Sequence, residues 1–158
     1  MPDMRLTARA NRQFMHRAVR FMVQAGVRQF LDIGSGIPTV GNVHEIAQEA
    51  ASDARVVYVD IDPVAVAHSQ RILAGNSFAT AIQEDLRQPA AILDHPQVRA
   101  LLDFDQPMGL MLVAILHAVP DQDDLDHGDS IRNCTAARSA TSGLVCSPMK
   151  RWWAGCEA

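Results

Sequence analysis

Residues 29–63 read QFLDIGSGIPTVGNVHEIAQEAASDARVVYVDIDP, and this stretch constrains the fold more than any other. An apolar run leads into a glycine turn. Asn42 and Glu45, three residues apart, have the spacing of a capping box ahead of a helical stretch. A second apolar run then ends in acid. Strand, loop, helix, strand and acidic tip is the order of half a nucleotide-binding α/β unit. That order restricts the class of ligand far more than it restricts the reaction.

The flanking sequence extends the alternation. Residues 7–25 carry Phe14, Ala18, Phe21 and Met22 at helical spacing, with Arg12, Arg17 and Arg20 mostly off that stripe. Gly26 suits a helix stop. Residues 30–33 read as a buried strand, 43–51 as the capped helix and 56–60 as the second strand. Asp62 is placed to cap a third helix that has Pro63 in its first turn and runs to about residue 74, where Gly75-Asn76 ends it. A short third strand covers 78–82. Pro89 and Pro96 each suit a helix start and give a broken helix through residue 102. A turn at 103–107 precedes a wholly apolar fourth strand at 108–116, buried on both faces. Strands alternating with helices predict an α/β fold whose parallel sheet has right-handed crossovers.

Composition narrows the class. The chain has 158 residues, 48% hydrophobic and 20% charged, as expected of one globular domain. A net charge of -4 argues against a general binder of nucleic acid or membrane surfaces. No apolar run reaches the ~18 residues of a membrane helix, and the N-terminus lacks the apolar core of a signal peptide, so a cytoplasmic location is expected. Residues 1–133 contain neither Cys nor Trp, whereas Cys134, Cys146, Cys156, Trp152 and Trp153 all follow. The Cys spacings match no common zinc pattern, and the histidines add none, so no metal site is expected. The reading is a partial Rossmann-like unit over 1–124 and an irregular tail of uncertain origin over 125–158, with a shifted reading frame near 125–129 as one hypothesis for the change.

The chemistry concentrates after the strands. Gly34-Ser35-Gly36 lets the backbone turn sharply and lets a ligand approach without Cβ clashes. A dinucleotide fingerprint needs a third glycine at position 39, but Thr39 is there and Gly41 comes two positions late. Asp32, two residues before the first glycine, is poorly placed beside a pyrophosphate and suits a cation. S-adenosylmethionine, with an ammonium, a sulfonium and no phosphate, fits better than a nicotinamide dinucleotide. Asp60, at the end of the second strand, can accept both hydroxyls of a ribose. It lies farther beyond Gly34 than the ~20 residues usual in a dinucleotide site, and the long loop absorbs the difference. Glu84-Asp85, after the third strand, offers an acceptor for the exocyclic amine of adenine or is a solvated loop acid. His117 ends the fourth strand near the topological switch point, where a methyl acceptor would enter; it is the one candidate for a catalytic role.

At this point the residues resemble a known family. Phe30-Leu31-Asp32-Ile33-Gly34-Ser35-Gly36 resembles motif I of class I S-adenosylmethionine-dependent methyltransferases. Val57-Tyr58-Val59-Asp60 resembles the acidic motif closing strand two, and Asp85-Leu86-Arg87 the motif after strand three. More narrowly, ANRQFMHRAVRFM, FLDIGSGIPT, NVHEIAQ, VVYVDIDPVAVAHS, HPQVRALLDFDQP and LMLVAILHAVPD are similar to the S-adenosyl methyltransferase family formerly grouped as DUF574, over about residues 8–124. The resemblance implies a Rossmann-like methyltransferase fold with strand order 3-2-1-4. It implies S-adenosyl-L-methionine as cofactor, with contacts at Asp32, Gly34, Ser35, Gly36, Asp60 and Asp85, and an unknown small-molecule methyl acceptor.

Members of that family carry a glycine-rich segment ahead of the first helix and further strands, five to seven, after the fourth, and neither reads out of this sequence. The expectation is therefore a chain truncated at both ends. It would leave the fourth strand as a bare apolar edge open to self-association. Besides a methyltransferase, a catalytically inactive remnant that binds cofactor weakly or self-associates fits the sequence; an NAD-dependent oxidoreductase fits less well.

Overall fold

The computed structural model describes residues 4–37, 41–113, 115 and 145–148. In chain order they form α1 (Met4–Gln24), β1 (Gln29–Ile33), α2 (Val43–Ala50), β2 (Arg55–Asp60), α3 (Pro63–Ile72), β3 (Ala79–Gln83), α4 (Pro89–Asp94), α5 (Pro96–Leu101), β4 (Pro107–Met111) and β5 (Val145–Pro148). One sheet contains all five strands in the order β3-β2-β1-β4-β5. The first four are parallel, in the expected order 3-2-1-4 with flanking helices, which is a Rossmann-like methyltransferase arrangement.

Side chains alternate across a strand, so each buried parallel strand supplies two cores. Phe30, Val56, Tyr58, Ala79, Ala81 and Met111 pack with Val19, Met22 and Val23 of α1, Val43, Ile46 and Ala47 of α2, and Val66 of α3. Leu31, Ile33, Val57, Val59, Ile82 and Met108 pack with Ile92 of α4, Val98 of α5 and Leu102. The central strand β1 is buried at every residue.

Local signals account for most of the boundaries. α1 ends in a Schellman motif: the Gly26 N–H donates to the Val23 carbonyl and the Val27 N–H to the Met22 carbonyl, both at 3.0 Å, with Gly26 at φ 95°. The capping box of Asn42 and Glu45 opens α2. Asp62 caps α3 by accepting the Val64 N–H at 2.8 Å. Pro96 separates α4 from α5, and the His95 side chain accepts the Gln97 N–H there. At the other end of the sheet, the Gln29 side chain accepts the Asp103 N–H at 2.9 Å and donates to the carbonyls of Asp103 and Gln106. It pins the turn that feeds β4.

Three expectations are corrected. The buried face of α1 is Ala18, Val19, Met22 and Val23, while Phe21 is 69% exposed. β4 ends at Met111, short of residue 116, and Leu112 and Val113 follow outside the strand. The tail is not irregular throughout. Val145–Pro148 pairs antiparallel with β4, from Pro107 opposite Pro148 to Leu110 opposite Val145. The outer edge of β4 is therefore hydrogen-bonded over these four residues, where a bare edge was expected.

Candidate ligand-binding site

The carboxyl ends of β1, β2 and β3 carry the candidate residues. The glycine turn leaves β1 and is held to β2 by backbone bonds: the Gly34 N–H donates to the Val59 carbonyl at 2.8 Å and the Ser35 N–H to the same oxygen at 3.4 Å. Gly34 and Gly36 have φ of 73° and 64°, a region L side chains rarely adopt. Their surroundings differ. A Cβ on Gly34 would lie 2.5 Å from Cγ1 of Ile115, so that glycine is needed for packing as well as for conformation. A Cβ on Gly36 would meet nothing within 4 Å, so among the described residues that side of the turn is open to a ligand.

Asp60 joins the turn to β2. Its Oδ2 accepts the Gly36 N–H at 2.7 Å and its Oδ1 accepts the Asp62 N–H at 2.9 Å. A carboxylate has about four acceptor positions, so two remain on Asp60 after these amides. They can serve a diol.

Asp32 is 7% exposed and lies opposite Tyr58 on β2 and Met111 on β4, on the α1–α2 face of the sheet. Burial, and secondarily the negative charge of Asp60, push its carboxyl up to about 7. Near neutral pH the carboxyl is poised between its two forms, and a neighbouring cation would favour the ionised one.

Asp85 follows β3, close to Asp60: the Glu84 N–H donates to the Asp60 carbonyl at 3.1 Å. Its carboxylate is gripped by Arg87. Nε donates to Oδ2 at 2.9 Å and to Oδ1 at 3.1 Å, Nη2 donates to Oδ2 at 2.6 Å, and the Arg87 backbone N–H donates to Oδ1 at 2.9 Å. Bonding to the Arg87 side chain holds the Asp85 carboxyl below its usual range.

Two contacts that support the site escaped the sequence reading. The Tyr58 hydroxyl accepts the backbone N–H of His44 at 2.9 Å and lies 2.8 Å from His44 Nδ1, with the two rings edge-on. With one lone pair taken by the amide, the hydroxyl can donate its own proton to Nδ1, an arrangement that suits a neutral imidazole with its hydrogen on Nε2. Burial lowers the His44 pKa and raises that of Tyr58, in keeping with two neutral partners. The phenol thus satisfies an N–H of the first turn of α2, one that the helix cannot satisfy itself. A tyrosine inside an apolar strand was the available signal, because a buried hydroxyl needs a partner. The second contact joins α1 to the loop. His16 Nε2 lies 3.0 Å from the Gly41 carbonyl, while the Gly41 N–H donates to Glu45 at 2.7 Å.

The site therefore brings Asp32, Gly34, Ser35, Gly36 and Asp60 together around one turn and sets Asp85 one strand away. His117 and Thr39 lie outside the described residues. Among the described residues no group of three or more His, Cys, Asp or Glu could hold a metal ion, and no helix is long and apolar enough to cross a membrane.

Comparison with known proteins places this geometry. The family model described as S-adenosyl methyltransferase matches residues 1–151. That match includes most of the segment after residue 124, so it gives no support to a foreign origin for residues 125–151. A crystal structure of a candidate methyltransferase from Thermobifida fusca YX is 42% identical, with a TM-score of 0.78, over 86% of this chain and 51% of that one. A DUF574 family protein from Streptomyces avermitilis MA-4680 is 48% identical, with a TM-score of 0.71, over 78% of this chain and 48% of that one. The chain thus spans about half the length of these solved structures. No curated protein matches it. A family match over nearly the whole sequence, on a sheet of the order 3-2-1-4 with a glycine turn bonded to an acid at the end of β2, shows that the chain belongs to the S-adenosyl methyltransferase family.

Proposed function

We propose that the chain binds S-adenosylmethionine at the carboxyl ends of β1, β2 and β3 and transfers its methyl group to a small-molecule acceptor. The observation that carries this reading is Asp60: it is fixed by the Gly36 and Asp62 amides, keeps acceptor positions for a ribose diol, and stands beside the open side of Gly36. Asp85 would accept from the adenine amine. Asp32 would balance the cationic end of the ligand, directly or through water. The bound cofactor supplies a methyl group already activated on a sulfonium. What the chain adds is position: a rigid turn and fixed carboxylates hold the ligand so that an acceptor can approach in line. Such a displacement needs no strong general base, so a site made mainly of orienting groups suffices.

Membership of the family leaves the nicotinamide alternative without support.

Calorimetric titration with S-adenosylhomocysteine and, separately, with NAD tests the cofactor. Heat with the first and none with the second supports the proposal; heat with NAD alone overturns it. Release of S-adenosylhomocysteine from S-adenosylmethionine, measured against a panel of small nucleophiles, separates transfer from mere binding.

A further inference from the structure

The grip of Arg87 on Asp85 is tighter than a solvated loop acid requires. Both groups lie partly exposed, yet the contact is a guanidinium fork reinforced by the backbone N–H of the same arginine. An exposed pair held at one point contributes little and swings freely, whereas a fork with a backbone tether fixes the plane of the carboxylate. At least three N–H groups of Arg87 donate to the two oxygens. Of about four acceptor positions, at most one is left.

Resting on the cofactor reading above, we propose that Arg87 is a positioning residue that makes Asp85 selective for an exocyclic amine, so that the site takes adenosyl ligands and rejects their inosyl counterparts. Adenine presents an N–H at this position and satisfies the last acceptor of Asp85. An inosyl base presents a carbonyl there, and its lone pairs would face a carboxylate that cannot turn away or take up a proton to donate. The backbone placement supports the assignment. Asp60 ends β2, Asp85 lies two residues beyond β3, and the two strands pair from Val56 opposite Ala79 to Asp60 opposite Gln83. A ribose bound at Asp60 would thus have its base directed across the neighbouring strand end.

The test is titration of the full chain and its Arg87→Ala variant with S-adenosylhomocysteine and S-inosylhomocysteine. The parent chain is expected to prefer the adenosyl ligand by about 10-fold or more. Arg87→Ala should lose most of that preference, through weaker adenosyl binding and unchanged or stronger inosyl binding. Arg87→Lys, which keeps the charge but not the fork, should not restore it. In an Asp85→Asn background, Arg87→Ala should change the ratio no further, because the arginine acts through the carboxylate. An unchanged ratio in Arg87→Ala, with adenosyl binding intact, overturns the proposal and leaves the cofactor reading standing. Failure of the parent chain to bind either ligand overturns both.

Discussion

Two carboxylates at one turn are held in opposite ways, and each gives a distinct experiment. Asp60 is an acceptor for the amides of Gly36 and Asp62. Asp60→Ala should weaken S-adenosylhomocysteine binding by roughly 1–3 kcal/mol; unchanged affinity by calorimetry would remove the ribose role. Asp32 is buried, with its carboxyl pushed from the ordinary carboxylate range up to about 7. The folded chain holds this proton more tightly than the unfolded one. The stability it contributes is fully present below about pH 4 and is lost as pH rises through 7. Asp32→Asn stays neutral and escapes that loss. The variant should match the parent near pH 4 and be more stable than the parent above pH 7, by up to a few kcal/mol at about 1.4 kcal/mol per pKa unit, read as a higher melting temperature. Binding of S-adenosylmethionine should change the other way. The parent's affinity should rise with pH through 7 as the carboxylate forms, and Asp32→Asn should bind more weakly with a flat profile. A melting curve that responds identically to pH in both proteins would show that Asp32 ionises as an ordinary surface acid. Gly34, Gly36 and Asp60 were legible in the sequence because strand, turn and strand end are local features. The state of Asp32 was not, because it depends on burial by α1 and α2 and on the charge of Asp60, which only the folded sheet brings near.

At the scale of elements, α2 depends on partners outside itself. It spans only Val43–Ala50, too short to persist alone. Glu45 accepts the Gly41 and Asn42 amides, and Tyr58 of β2 accepts the His44 amide. Tyr58→Phe leaves both that amide and His44 Nδ1 without their partner in a buried place. It should cost about 1–3 kcal/mol in urea denaturation; a loss within ±0.5 kcal/mol would mean water replaces the hydroxyl freely. The capping box was visible from residue spacing, whereas the tyrosine contact depends on strand register. The first helix teaches a similar lesson. A stripe through Phe14, Phe21 and Met22 and one through Ala18, Val19, Met22 and Val23 both have helical spacing. Val19, Met22 and Val23 of the aliphatic stripe pack with Phe30 and Val56, and Phe21 turns outward. β5 gave no warning at all, since its pairing with β4 joins segments far apart in sequence and carries no alternating pattern to announce it.

For the molecule as a whole, the fifth strand alters what removing the tail would do. Deleting residues 129–158 leaves β1, β2 and β3 with every candidate cofactor contact, so S-adenosylhomocysteine affinity should change by less than about 3-fold, well under 1.4 kcal/mol. It also strips the hydrogen-bonded partner from Pro107–Leu110. An apolar strand edge then becomes available to another chain, and sedimentation velocity should show concentration-dependent association absent from the full chain. Loss of binding on the same deletion would make β5 part of the site's foundation. One further property follows from Tyr58 being the only tyrosine in the sequence. Tyrosine isotope-labelled at the ε ring positions would give signals from one residue alone in a magnetic resonance spectrum, without a tag or a substitution. Its ring stacks edge-on against His44, its hydroxyl holds the first turn of α2, and its register partner is Asp32. The chain thus carries a natural reporter between the glycine turn and the core, able to register proton uptake at Asp32 and arrival of a ligand as separate displacements of one resonance.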